Sequence, residues 1–143
     1  MTELRGVIPI TATPFDAEGR VDEYSIVTLV EFEARPPRRS PRSGGLLAAT
    51  GVAVPDILVK IYDLFAAGNT AGAAEMYDRY ASYIRYEGQV GVGIALRKEV
   101  LRLRGAIRSS YVRPPGPALD DVTRAELRAI LERAGILETR RGI

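Results

Sequence analysis

Lys60 and Lys98 are the only two lysines among 20 basic residues, and arginine supplies the rest. A lysine amine can attack a carbonyl carbon and hold it as a Schiff base, provided that burial or a neighbouring cation depresses its pKa. Both lysines fall in helical patterns at positions expected to face water, so neither is expected to be a nucleophile. The chain has no Cys and no His. That removes disulfides, thiol nucleophiles and thiolate metal sites, together with the commonest general base and metal ligand. No metal site and no cofactor are expected, and no residue takes a catalytic role.

Two other groups could do something chemical. Residues 34 to 45 read ARPPRRSPRSGG, with Arg35, Arg38, Arg39 and Arg42, three prolines and no acid. Such a run can be a flexible linker, a basic arm for nucleic acid, or the mark of missing sequence. Its prolines deny it a helix, and it is longer than the ~4–6 residues that commonly join neighbouring elements. Tyr77, Tyr80, Tyr83 and Tyr86 recur along one helical pattern and could stack bases. Packing in a core or against another helix explains them better, because Glu75, Asp78 and Glu87 dilute any positive field there.

These groups must be positioned by a chain of 143 residues, enough for one domain with a real core. The composition, 46% hydrophobic and 27% charged, is that of a soluble globular protein. A net charge of +2 gives no strong field for nucleic acid or membrane. Apolar runs are short and interrupted, so no secretory signal or membrane span is expected and a cytoplasmic location is.

RGVIPITATPF (Arg5 to Phe15) reads as a buried parallel-type strand, nearly continuous in apolar and β-branched residues. DAEGR is a turn. Asp22 is expected to cap a helix with Glu23 in its first turn and Ile26, Leu29 and Val30 at helical spacing. GGLLAATGVAVP (Gly44 to Pro55) reads as a second strand. Asp56 then caps a helix whose apolar stripe is Ile57, Ile61, Leu64 and Phe65, closed by Gly68. A helix from about Ala71 to Tyr86 turns Met76, Tyr77, Tyr80, Tyr83 and Ile84 inward. Residues 90–105 form another, with Leu96, Val100 and Leu103 inside and Arg97, Lys98, Arg102 and Arg104 on a solvated basic face. RPPGP (Arg113 to Pro117) is a joint. Thr123 with Glu126 makes a capping box that opens a final helix carrying Leu127, Ile130 and Leu131, stopped at Gly135. No internal repeat is present. The order of elements is that of an α/β fold, mostly helical by residue count.

GVIPITATPFDAEGRVDEYSIVTLVEF resembles the first strand and helix of the dihydrodipicolinate synthase and N-acetylneuraminate lyase family. The likeness rests on Thr13, Pro14 and Phe15 followed by D-x-x-G-x-V-D. GGLLAATGVAVPDILVKIYDLFAAGNTAGA resembles the family's eighth strand and helix. KEVLRLRGAI and YVRPPGPALDDVTRAELRAILERAGIL resemble its C-terminal helical extension, including the R-P-P turn. The resemblance covers residues 4–32 and 44–137.

That family consists of (β/α)8 barrels acting on pyruvate or another 2-oxo (sugar) acid through a Schiff base on lysine. Such a barrel needs ~250 residues. The resemblance therefore implies a fragment of a TIM barrel. Its first strand and helix would occupy residues 1–33, a linker or deletion scar 34–43, its eighth strand and helix 44–69, and the helical extension 70–143. Strands two to seven would be missing at ARPPRRSPRSGG, which reads best as a deletion scar or frameshift.

By the same resemblance, the Schiff-base lysine lies on strand six, the proton-relay tyrosine near strand four, and the G-T-T-G-E substrate-carboxylate loop after strand two. None of these motifs occurs in this sequence. Lys60 matches an outer position of the eighth helix and Lys98 a position in the C-terminal helices. What remains of the substrate pocket is wall: Thr13 near the end of strand one, and Leu47 in strand eight. An ordinary place in a barrel interior explains each of them more simply.

Three functions compete on this reading. One is the lyase or aldolase activity of the family. The second is a non-catalytic assembly module pairing with itself or with an intact paralogue. The third is a nucleic-acid binder using Arg35 to Arg42. The missing lysine motif favours the assembly module, inactive alone, and the near-neutral charge weighs against nucleic acid. A small 2-oxo acid is a partner only if the missing core is supplied, and no membrane partner is expected. Returning strand eight to its parental place beside strand one would make a left-handed crossover, against a strong rule. The expectation is that strand eight takes the second slot, or that strands pair between chains and the chain is a homo-oligomer.

Overall fold

The computed structural model describes residues 6–35 and 45–137, with the backbone alone for 45–48. Most of the ARPPRRSPRSGG stretch, including Arg38, Arg39 and Arg42, lies outside the described residues, as does everything after 137.

Gly6–Pro9 forms strand β1 and Gly45–Ala48 forms β2. They pair in parallel within the one chain, Gly6 against Gly45 and Ile8 against Leu47. The sheet is not left bare, since helix α2 (Thr50–Ala53) and helix α3 (Pro55–Ala66) both pack against β1. A Cβ added at Gly51 would stand 3.3 Å from Val7 Cγ1, so glycine permits α2 to approach the strand this closely.

Both strands are shorter than the sequence suggests. β1 stops at Pro9, which has no N–H to give a ladder. Beyond it Thr11 Oγ1 donates to Glu33 Oε2 at 2.7 Å, and Phe15 bridges antiparallel to Val21 around the DAEGR turn. In that turn Asp16 Oδ1 accepts from the backbone N–H groups of Glu18 and Arg20, and Gly19 takes φ 80°. The Gly44–Pro55 run is strand only to Ala48. Its small residues then wind into α2, burying Val52, Ala53 and Val54 completely.

Helix α1 (Glu23–Ala34) is capped by Asp22, as expected, through the Ser25 N–H. Its inner side is Ser25, Leu29 and Phe32, whereas Ile26 and Val30 point outward. The cause is that α1 rests by one side on residues 104–106. Thr28 Oγ1 donates to the Ala106 carbonyl at 2.8 Å, and the Arg104 guanidinium lies 4.8 Å over the Phe32 ring.

Helix α3 starts with Pro55 at its first position, which places Asp56 inside the first turn and not at the cap. Ile57 and Leu58 are buried, and Phe65 is exposed instead of belonging to the inner stripe. Helix α4 (Thr70–Glu87) is capped by Asn69 and sends Tyr80 and Tyr83 into the core, leaving Tyr77 outside. Tyr80 and Tyr83 therefore pack in the core, and the four tyrosines do not form one open stacking surface. Helix α5 spans Gly93–Leu103 and α6 spans Asp121–Arg133. Asp120, and not Thr123, caps α6, accepting from the Thr123 N–H at 2.7 Å; Glu126 accepts from the Tyr86 hydroxyl instead of closing a capping box. Leu29, Phe32, Val54, Ile57, Tyr83, Leu96, Val100, Leu127 and Leu131 meet in one core, so α1, α3, α4, α5 and α6 share it.

Candidate functional site

Thr13 and Leu47 are the two pocket residues expected from the sequence. Leu47 pairs through its backbone with Ile8, and its side chain lies outside the described residues. Thr13 stands four residues past the end of β1, exposed, between the buried Ala12 and Pro14.

The lysines separate. Lys60 is exposed on α3, as expected. Lys98 is not on a solvated face: it is only 2% exposed. Its ammonium donates to the Tyr111 carbonyl at 2.9 Å and lies 4.4 Å from the centre of the Phe15 ring. Arg113 stacks on the same ring at 4.1 Å and donates to the Gly19 carbonyl at 2.8 Å. Burial draws the Lys98 pKa down to about 8, and the positive charge of Arg113 adds to the effect. Such a desolvated amine is what a nucleophile needs, but here it is covered, with a backbone carbonyl and an aromatic face as its partners. The sequence missed this because helical periodicity places Lys98 among arginines. The residues that bury it, Phe15 and Tyr111, come from far away in the chain.

Of the rest of that basic face, Arg97 and Arg104 also turn inward, whereas Arg102 stays exposed as expected. Glu87, itself buried, accepts from Thr50 Oγ1 and from Arg97 Nε. The Tyr83 hydroxyl is buried near it without a hydrogen-bond partner among the described residues, and burial, reinforced by the Glu87 charge, raises its pKa. Glu99 accepts from Arg102 at 2.6 and 3.0 Å and from Arg124 at 2.7 Å. Burial alone would raise that carboxyl, but hydrogen bonds from Arg102, Ser110 and Arg124 overcome it and hold the pKa at about 2. Arg108 donates to Asp22 Oδ1 at 3.0 Å and stacks 4.2 Å over Tyr24. Hydrogen bonds from the Ser25 hydroxyl and backbone, joined by Arg108, keep the Asp22 pKa low against its burial.

These are paired charges that fasten elements together, not an assembled acid–base site. Among the described residues, no group of three or more metal-ligating side chains is found, and no helix is long and apolar enough to cross a membrane. A shallow cavity of about 410 Å³ lies between Ala95, Ser109, Tyr111, Pro117, Leu119 and Arg124, but Arg124 is committed to Glu99.

No family model and no curated protein matches the chain. A solved structure does: the crystal structure of dihydrodipicolinate synthase from Rhodopseudomonas palustris, 39% identical with a TM-score of 0.59. The match covers 62% of this chain and 29% of that one, so the chain spans less than a third of the length of the enzyme it resembles. Identity at that level, together with a shared fold, supports a relationship to the dihydrodipicolinate synthase family over the matched part of the chain.

Proposed function

We propose that the protein is an internally shortened member of this family that acts as a non-catalytic assembly module, pairing with itself or with an intact paralogue. It would retain the first strand–helix unit in residues 1–33 and the eighth in 44–69, joined by a deletion scar at 34–43 and followed by the helical extension of 70–143. The observation that carries this reading is the state of its two amines. Lys60 is solvated on an outer helix, and Lys98 is spent on the Tyr111 carbonyl and the Phe15 ring. Neither stands at a strand end, where barrel chemistry takes place. The match to only 29% of a synthase chain supports the same conclusion.

A Schiff base with pyruvate acidifies the methyl protons, so a working family site exchanges them with solvent. Incubating the protein with pyruvate in heavy water and following the methyl signal by NMR tests this directly. No exchange above the buffer rate is expected, and protein-dependent exchange contradicts the reading.

A further inference from the structure

Helix α1, EYSIVTLVEFEA, carries large apolar side chains on its outer side as well as on its inner one. Among the described residues, only one side of it is covered. Tyr24, Val27 and Val30 are 61%, 59% and 55% exposed, and Ile26 is 38% exposed. At ~100° per residue, Glu23, Val27, Val30 and Ala34 fall in one narrow line along the outer face, with Glu31 and Tyr24 on one side of it and Ile26 on the other. Apolar residues grouped this way on one element mark a contact surface more than scattered exposed side chains do.

We infer that this face is a docking surface for a second copy of the same chain, two α1 helices packing antiparallel about a two-fold axis between Val27 and Val30. The inference rests on the assembly reading above and names its surface. The register comes from the charges. In a two-fold contact the same patch serves both copies, so Val27 meets the partner's Val30, and Glu23 meets the partner's Ala34. That sets Glu23, in the acidic first turn, beside Arg35 at the partner's C-cap, twice over. No basic residue occupies the last turn of α1 to compete for it. The antiparallel arrangement also opposes the two helix dipoles favourably. One helix of 12 residues per copy is a small interface, so micromolar and not nanomolar affinity is expected.

Sedimentation of the full chain at 100 micromolar reads the outcome against the monomer mass of 15.6 kDa. The wild type is expected near twice that mass. Val27→Lys with Val30→Lys, which pairs well with Glu23 and Glu31 on a single helix, is expected to sediment as a monomer with unchanged far-UV circular dichroism. Glu23→Arg and Arg35→Glu alone should each weaken the dimer at least threefold, and the two together should restore it. A wild-type oligomer indifferent to all four changes would overturn the α1 interface while leaving the assembly reading standing. A monomeric wild type that also fails to bind an intact family enzyme would overturn both.

Discussion

Arg104 grips Asp56 with two parallel hydrogen bonds, Nη1 to Oδ1 at 3.0 Å and Nη2 to Oδ2 at 2.8 Å. The same Nη1 donates to the Ala53 carbonyl at 2.7 Å. The guanidinium is 10% exposed and ties the start of α3 to the end of α5, 48 residues away. It also covers Phe32 of α1, so α1, α2 and α3 all meet the one side chain at the end of α5. Planar two-point geometry of this kind is stronger than a single ion pair. Arg104→Ala is expected to destabilise the fold by about 2–3 kcal/mol, and Asp56→Ala, whose carboxylate is partly solvated, by about 1 kcal/mol. Urea unfolding of the two variants and the double variant measures both, and equal small losses would show that the bridge contributes little.

Lys98 gives stability a distinctive pH dependence. Its amine titrates near pH 8 in the folded chain and near its ordinary value of 10.5 when unfolded. Between those values the unfolded chain binds more protons, so this group makes stability rise with pH. Below pH 8 both states are protonated, and the cost of the buried charge is fully present. Lys98→Met is therefore expected to equal or exceed the wild type in stability at pH 7, and the difference should shift in favour of the wild type between pH 8 and 10. A difference that stays flat over that window would mean that Lys98 is not desolvated.

The Tyr83 hydroxyl is buried without a partner among the described residues, whereas Glu87 beside it serves two donors, Thr50 and Arg97. Removing the first relieves an unpaired polar group, and removing the second strands a guanidinium. Tyr83→Phe is expected to be neutral or stabilising by up to about 1 kcal/mol. Glu87→Ala should cost about 3 kcal/mol. Thermal melts separate these outcomes, and a destabilising Tyr83→Phe would show that the hydroxyl does find a partner.

The contrast between elements explains what the sequence could reveal. Asp22 as the cap of α1 and Gly19, Gly68 and Gly135 as left-handed turns were legible, because each depends on residues within a few positions. So was the identity of the core in α4, α5 and α6, where Tyr83, Leu96, Val100, Leu127 and Leu131 follow helical spacing. The extent of the strands was not legible. An apolar run such as LLAATGVAV fits a strand by pattern, and only packing against Val7 makes its second half a helix. The fate of the basic residues on α5 was hidden for the same reason. Whether Arg97, Lys98 and Arg104 meet water depends on Glu87, Tyr111 and Asp56, which periodicity cannot bring near.

The central claim is that this chain performs no Schiff-base chemistry, and borohydride trapping measures that most directly. The full-length protein is incubated with pyruvate, reduced, weighed intact, and digested to locate any adduct. The account predicts unmodified mass, with Lys60 too solvated to hold an imine at neutral pH and Lys98 closed beneath Phe15 and Tyr111. A stoichiometric, pyruvate-dependent adduct on either lysine would contradict it, and an adduct on Lys98 would make the buried amine a catalytic one.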